Sequence, residues 1–265
     1  MTEHKRHTIK KIGFYDSGLG GLFVMSHVQK AFALYDYTFL ADEKNLPYGE
    51  KTHKELLEIA RRCITFLIVE EKCDVVMIAC NTLSATVYTT LEQEFKNTYP
   101  DVLLLDIITP TIDALPEAHE YVVFGTSRTI ESHIYKNEIA KVYADSYVTE
   151  ITTKDLASLI EKKESPKAYL TSFSELVPKN HATCILACTH YGLEREVFKK
   201  VFPFFDSIIS QETIALNLFK FILHNNVIET QPQVVIYTTQ KNPIFENYAK
   251  DWFEKSTVQV IDISI

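Results

Sequence analysis

Val75-Val76-Met77-Ile78-Ala79-Cys80-Asn81-Thr82 is a short, β-branched apolar run that ends on a thiol and two polar side chains. Helical periodicity follows over 84–95, so the segment reads as a strand turning directly into a helix. The same pattern returns in the second half of the chain as Cys184-Ile185-Leu186-Ala187-Cys188-Thr189-His190, again ahead of a helical stretch. Each copy sets a cysteine where strand gives way to helix. There the helix dipole and the free N–H groups favour the thiolate. Two thiols so placed, one per half, suit a reaction that needs a basic sulfur on each side of one substrate.

Apolar runs alternate with helical patterns through the rest of the chain. Strands are expected at 11–15, 37–40, 75–79, 102–107, 121–124, 183–187, 207–209, 234–237 and 258–263. Helices are expected at 22–33, 54–71, 84–95, 128–142, 154–162, 193–202, 212–224 and 244–255. The stretch 54–71 carries Leu56, Leu57, Ala60, Ile64, Leu67 and Ile68 at three- and four-residue steps, the mark of one apolar helix face. Alternation on this scale specifies an α/β fold of mostly parallel sheets with helices on both faces. The repeated cysteine unit points to two pseudo-symmetric lobes with a cleft between them, although one short echo is compatible with chance as well as with duplication. No low-complexity linker separates the halves. Thr109-Pro110, the stretch 180–183 and the turn at Ser210-Gln211 are the candidate boundaries, dividing residues 1–107 and 212–265 from residues 108–211.

At 265 residues, 46% hydrophobic and 23% charged, the chain has ample core for one large domain or two ordinary ones. A net charge of -8 argues against a general nucleic-acid surface. It leaves room for an anionic small molecule, because local N–H groups outweigh a distant net charge. The basic start (His4, Lys5, Arg6, Lys10, Lys11) is followed only by Ile12 to Tyr15 before Asp16, too short for a signal-peptide core. No run approaches the ~18 apolar residues of a membrane span. Five cysteines, odd in number and without framework spacing, fit a reduced, cytoplasmic compartment. Glycine is scarce, with only seven, and Gly18, Gly20 and Gly21 share one loop. A chain this sparing places glycine where backbone turns sharply or approaches a ligand.

Three further segments carry candidate chemistry. Ile12-Gly13-Phe14-Tyr15-Asp16-Ser17-Gly18-Leu19-Gly20-Gly21 takes a strand into a glycine loop that opens a helix, a cradle for a carboxylate. Its spacing is neither the dinucleotide fingerprint nor a P-loop, and a plain turn capped by Asp16 and Ser17 accounts for it equally. Asn45-Leu46-Pro47-Tyr48-Gly49-Glu50-Lys51 is either an ordinary turn or a loop presenting Tyr48 and backbone N–H groups to a polar ligand. Val122-Val123-Phe124-Gly125-Thr126-Ser127-Arg128-Thr129 offers Thr126 and Thr129 as hydroxyl donors, or a simple helix cap. Cys63 and Cys73 read as packed core thiols. The cysteine spacing argues against a zinc site and fits a redox dithiol poorly. His190, two residues after Cys188, is placed to tune that thiol's proton affinity.

Taken in order, Asp-Ser-Gly-x-Gly-Gly, Pro-Tyr-Gly-Glu-Lys, Ala-Cys-Asn-Thr, Gly-Thr-x-x-Thr and Cys-Thr-His-Tyr resemble the glutamate racemases of the aspartate/glutamate racemase superfamily. The resemblance spans nearly the whole chain, including a C-terminal segment at 234–239 like the family's returning one. It implies a cofactor-independent isomerase that interconverts L- and D-glutamate and supplies D-glutamate for bacterial peptidoglycan. It implies a small-molecule substrate, no metal, no nucleic-acid or membrane partner, and a possible homodimer. Cys80 and Cys188 match the two cysteines that flank the substrate's α-carbon. Asp16, Ser17, Tyr48, Gly49, Asn81, Thr82, Thr126, Thr189 and His190 match binding positions, with Asp16 and His190 also holding or relaying the thiols' protons.

The chain departs from the family pattern at Ala187, at Gly192 where a proline is usual, and at Asn45 where an arginine is usual. The family's mid-chain acidic residue is expected to fall on Thr152, or with a shift on Glu150, so no carboxylate is assigned to the Cys188 side. An aspartate-selective or broad-specificity racemase, and a non-catalytic carboxylate-binding protein on the same scaffold, stay open as alternatives.

Overall fold

The computed structural model describes residues 9–179, 181–223, 232–253 and 257–261. His4, Lys5 and Arg6, position 180, and the expected element ends at 224, 254–255 and 262–263 lie outside them. Among these residues ten strands form two sheets, and every pairing is parallel. The first sheet holds β1 (Lys11–Asp16), β2 (Asp36–Ala41), β3 (Val75–Ile78), β4 (Leu103–Asp106), β9 (Val234–Thr238) and β10 (Thr257–Val260) in the order β10-β9-β2-β1-β3-β4. The second holds β5 (Glu120–Gly125), β6 (Tyr147–Thr152), β7 (Ala182–Ala187) and β8 (Phe205–Ile209) in the order β6-β5-β7-β8.

The helices α1 (Leu19–Ala31), α2 (His53–Thr65), α3 (Asn81–Thr86), α4 (Tyr88–Thr98), α5 (Ile108–Asp113) and α6 (Ser127–Glu131) connect the first half. They are followed by α7 (Ile134–Val142), α8 (Leu156–Glu161), α9 (Lys167–Thr171), α10 (Arg195–Val201), α11 (Gln211–Ile222) and α12 (Pro243–Trp252). Central strands buried on both faces explain the unbroken apolar runs: Val75 to Ile78 and Thr183 to Ala187 are at most a few per cent exposed. One apolar cluster runs from Phe14 and Met77 of the first sheet to Val123 and Ile185 of the second. The outer faces each carry their own cluster, around Ile64 and Val76 in one case and Phe124 and Phe198 in the other.

Several expected elements change at their ends. The helix expected at 84–95 begins at Asn81, directly after Cys80, and breaks at Val87 into α3 and α4. That at 128–142 breaks at His133, which takes a left-handed conformation (φ 52°) and pairs with Glu150 at 2.6 Å. The helix expected at 54–71 closes with a π turn over Phe66–Glu70, and α10 is preceded by a 3-10 turn over Thr189–Glu194. Thr109-Pro110 is part of α5, whose first N–H groups bond to the Asp106 carboxylate. Strand β6 and helices α5 and α9 fall outside the expected elements. β6 is a half-exposed edge strand whose Thr149, Glu150 and Thr152 hide its alternation.

Both sheets share one wiring. In β2-β1-β3-β4 and in β6-β5-β7-β8 the first strand sits between its successor on one side and the third strand on the other. Connections therefore leave in opposite directions at β1/β3 and at β5/β7, and a crevice opens at the carboxyl ends of each pair. Asp16 ends β1 and Cys80 follows β3; Thr126 follows β5 and Cys188 follows β7. Each cysteine stands at the crevice of its own sheet.

Candidate active site

The two crevices merge into one cavity of about 430 Å³. Asp16, Ser17, Tyr48, Gly49, Cys80, Asn81, Thr82, Thr126, Cys188, Thr189 and His190 all line it. The structure thus brings every expected site residue to a single cavity, with both cysteines on its wall. Cys63, Cys73 and Cys184 are free, buried and away from it, and burial pushes all three thiols up.

On the first sheet's side, Asp16 is wholly buried, accepts the Ser17 main-chain N–H at 2.6 Å and takes the Thr189 hydroxyl across the cleft at 3.0 Å. Burial raises its pKa, partly offset by the His190 charge and these bonds. Asn81 opens α3. Its Oδ1 accepts the Tyr135 hydroxyl at 2.6 Å, which fixes the amide, and Nδ2 is left buried without a partner. A buried N–H without an acceptor costs free energy that a ligand carboxylate would recover. The Thr82 hydroxyl meets that of Thr126 at 3.1 Å, and Thr126 meets Thr129 at 3.0 Å, so a chain of hydroxyls bridges the two halves.

Tyr48 lines the cavity, but its hydroxyl is engaged within the protein, 2.7 Å from the Tyr15 hydroxyl and donating to Asp42 at 2.6 Å. That hydroxyl is therefore not what the loop offers a ligand. Gly49 follows Tyr48 in a 3-10 turn, whose first N–H groups have no partner within the turn. Asn45, in the usual arginine position, holds both oxygens of Asp42 at 2.9 Å.

Cys80 corrects one expectation. The N–H groups of Thr82 and Leu83 do favour a thiolate there, but burial is the larger effect, the Asp16 charge adds to it, and the thiol is pushed well above its ordinary value. The Cys188 sulfur lies close enough to act in the same direction. Cys188 has a different neighbour. Its Sγ is 3.7 Å from His190 Nδ1, and His190 Nε2 is 2.7 Å from Glu161 Oε1. Burial works against a charged imidazole, yet the bonds to Cys188 and Glu161 outweigh it and hold His190 well above its ordinary value. Burial likewise opposes the Glu161 carboxylate, and its bond and charge attraction to His190 keep it below the usual range.

Glu161 is the residue the sequence reading missed. The acidic position expected at Thr152 or Glu150 is filled by neither: Thr152 is exposed at the sheet edge, and Glu150 pairs with His133. The carboxylate comes instead from the last residue of α8. Its signal was the Leu156, Ile160 face of the expected helix at 154–162, which turns Glu161 toward the strand ends. Gly192 also has a local cause, since a Cβ there would run into the Glu212 carboxylate and lie 3.1 Å from Phe23. Among the described residues no group of three or more His, Cys, Asp or Glu is arranged to hold a metal, and no helix is long and apolar enough to cross a membrane.

Comparison with known proteins gives the family and the fold. The sequence model of the Asp/Glu/Hydantoin racemase family matches residues 28–210. A glutamate racemase from Fusobacterium nucleatum is 32% identical over 196 residues, 72% of this chain and 73% of that protein. Another from Persephonella marina is 30% identical over 243 residues, 89% of this chain and 90% of the relative. Among solved structures, the RacE1 isoform of glutamate racemase from Bacillus anthracis superimposes with a TM-score of 0.83 at 25% identity, over 98% of this chain and 100% of that one. The glutamate racemase of Francisella tularensis, solved with D-glutamate, gives a TM-score of 0.80 at 22% identity over 96% and 98% of the two chains.

Proposed function

The chain belongs to the Asp/Glu/Hydantoin racemase family, and on that footing we propose that it is a glutamate racemase working with two cysteines and no cofactor. The observation that carries the reading is the single cavity lined by Cys80 and Cys188 from the corresponding crevices of two like-wired sheets.

The chemistry follows from where charge develops. The α-proton of an amino acid is a very weak acid, so its removal needs donors already aimed at the carboxylate where the carbanion's charge collects. Asn81 Nδ2 is such a donor and the hydroxyls of Thr82 and Thr126 stand beside it, while the Gly49 backbone offers N–H groups at the other end of the substrate; the hydroxyls of Ser17 and Thr189 are held by Asp16. One sulfur, as thiolate, takes the α-proton as the Cα–H bond breaks. The opposite sulfur, as thiol, gives its proton to the other face of the same carbon, which inverts. After turnover the two sulfurs have exchanged roles, and the cycle returns through the reverse reaction or by proton exchange with water. The surroundings of the two sulfurs differ. Cys80, whose thiol burial and Asp16 stabilise, carries a proton, and Cys188 faces the imidazolium of His190. Asp16 and Glu161–His190 then hold or relay protons for the first and second sulfur respectively. We further take residues 1–107 with 212–265 and residues 108–211 as the two lobes, the reaction as cytoplasmic, and its D-glutamate as destined for peptidoglycan.

The test is direct. Purified protein with no added cofactor is given L-glutamate, D-glutamate or either enantiomer of aspartate, and the mixture is resolved by chiral chromatography. We expect glutamate to approach equal amounts of both enantiomers from either side. Conversion of aspartate alone, or of neither, rejects the assignment.

A further inference from the structure

Arg128 lies two residues beyond Thr126, in the first turn of α6, and its side chain reaches out of the second sheet's half. Its Nη2 donates to the main-chain carbonyl of Lys51 at 2.5 Å. Lys51 caps the 3-10 turn over Tyr48–Glu50, so this acceptor belongs to the loop that walls the cavity. Within the loop the turn bonds are long, 3.4 Å from Glu50 N to Pro47 O and 3.2 Å from Lys51 N to Tyr48 O. Leu46, Pro47 and Glu50 are exposed. The loop is anchored from below by the Tyr48 hydroxyl and from across the cleft by Arg128.

The second observation concerns the rest of the guanidinium. Its Nε is buried and has no acceptor. A buried donor left unmade costs free energy that water would restore on opening. A charge-assisted bond that holds the loop and an orphaned donor that penalises the closed arrangement oppose each other on one side chain. That balance suits a tie which must form for every substrate and release for every product.

We infer that Arg128 is a positioning residue of the active site: it fixes the Tyr48–Gly49 backbone at binding distance by bridging the cleft to Lys51, without itself touching substrate. The kinetic part rests on the racemase reading; the loop-holding part does not. Two variants separate these. Arg128→Met keeps length and removes every donor, and Arg128→Lys keeps the charge with a single-point donor. Hydrogen exchange in the ligand-free protein should speed up in peptides covering 46–52 for Arg128→Met and stay unchanged elsewhere, whether or not the protein racemises glutamate. For glutamate, KM should rise about 10-fold or more in Arg128→Met, the scale of a lost charge-assisted bond, with kcat within about threefold and Arg128→Lys in between. A general packing role would instead lower the melting temperature and raise exchange throughout α6. If 46–52 exchanges at the wild-type rate in both variants, or KM moves less than about twofold while the wild type racemises, Arg128 has no positioning role. Should Arg128→Met fail to fold, Arg128→Lys decides by the same loop-exchange criterion.

Discussion

Asp16 and Glu161 are carboxyl groups that line one cavity, and burial pushes both toward the neutral form. Their neighbours separate them. Asp16 stays raised, while Glu161 is drawn below its usual range by an imidazole at 2.7 Å. The Glu161–His190 pair therefore sets the charge that Cys188 faces. Replacing Glu161 by Gln keeps a hydrogen-bond acceptor and removes the charge. His190 should then titrate lower, the alkaline limb of the pH–rate profile should move down with it, and kcat/KM should fall by about 10²-fold, the usual worth of a positioned acid–base group. The sign for stability follows from the same shifts. Glu161, depressed, stabilises the fold above its ordinary value of 4.5 and ceases to as pH falls through its folded value. His190, raised, stabilises fully below 6.5 and ceases to as pH rises through its folded value. The variant's deficit in melting temperature should be greatest between pH 4.5 and 6.5 and shrink on either side. A deficit that is flat across pH would show that the pair carries no such charge.

At the scale of elements, the start of α1 presses against the turn at Thr189–Glu194, and this contact decides the glycine loop. From sequence, Gly18, Gly20 and Gly21 suit backbone freedom or a ligand cradle. None of the glycines has positive φ. Their role is close approach between elements. A Cβ on Gly20 would stand 2.6 Å from the His190 main-chain nitrogen, and one on Gly21 would stand 2.7 Å from the Asp16 carboxylate. Helix propensity alone would reward Gly20→Ala by up to about 1 kcal/mol. Overpacking against backbone costs about 1–3 kcal/mol and acts on the segment that carries Thr189 and His190. We expect Gly20→Ala to lose activity at least about 10-fold and to melt several degrees lower, whereas Gly49→Ala, with nothing within 4 Å of the new Cβ, keeps its melting temperature. Calorimetry of both variants checks this; an unchanged Gly20→Ala would mean the two elements are not pinned there. Strand ends were the readable feature of the chain because central strands are apolar throughout. The edge strand β6 and the helix break at His133 were not, since each depends on a partner elsewhere in the chain, β5 in one case and Glu150 in the other.

At the scale of the whole molecule, two like-wired sheets each bring a thiol to a switch point, and neither half holds a complete site. The echo of Ala79-Cys80 in Ala187-Cys188 disclosed both half-sites, because a strand ending on cysteine is a local pattern. Glu161 escaped notice because its role arises only when α8 packs beneath His190. The cross-cleft bonds of Thr82 to Thr126 and Thr189 to Asp16 join the halves and were likewise invisible in either half alone. If one proton leaves toward one sulfur and another arrives from the other, the origin of the α-proton in the product reports the whole arrangement. The decisive measurement is the first few per cent of conversion of unlabelled L-glutamate in deuterated water. The D-glutamate formed should carry deuterium on its α-carbon while the recovered L-glutamate carries none, and Cys80→Ser and Cys188→Ser should each slow this conversion by about 10³-fold or more. Product that keeps the original α-proton, or near wild-type conversion by either variant, would contradict a reaction run between two opposed sulfurs.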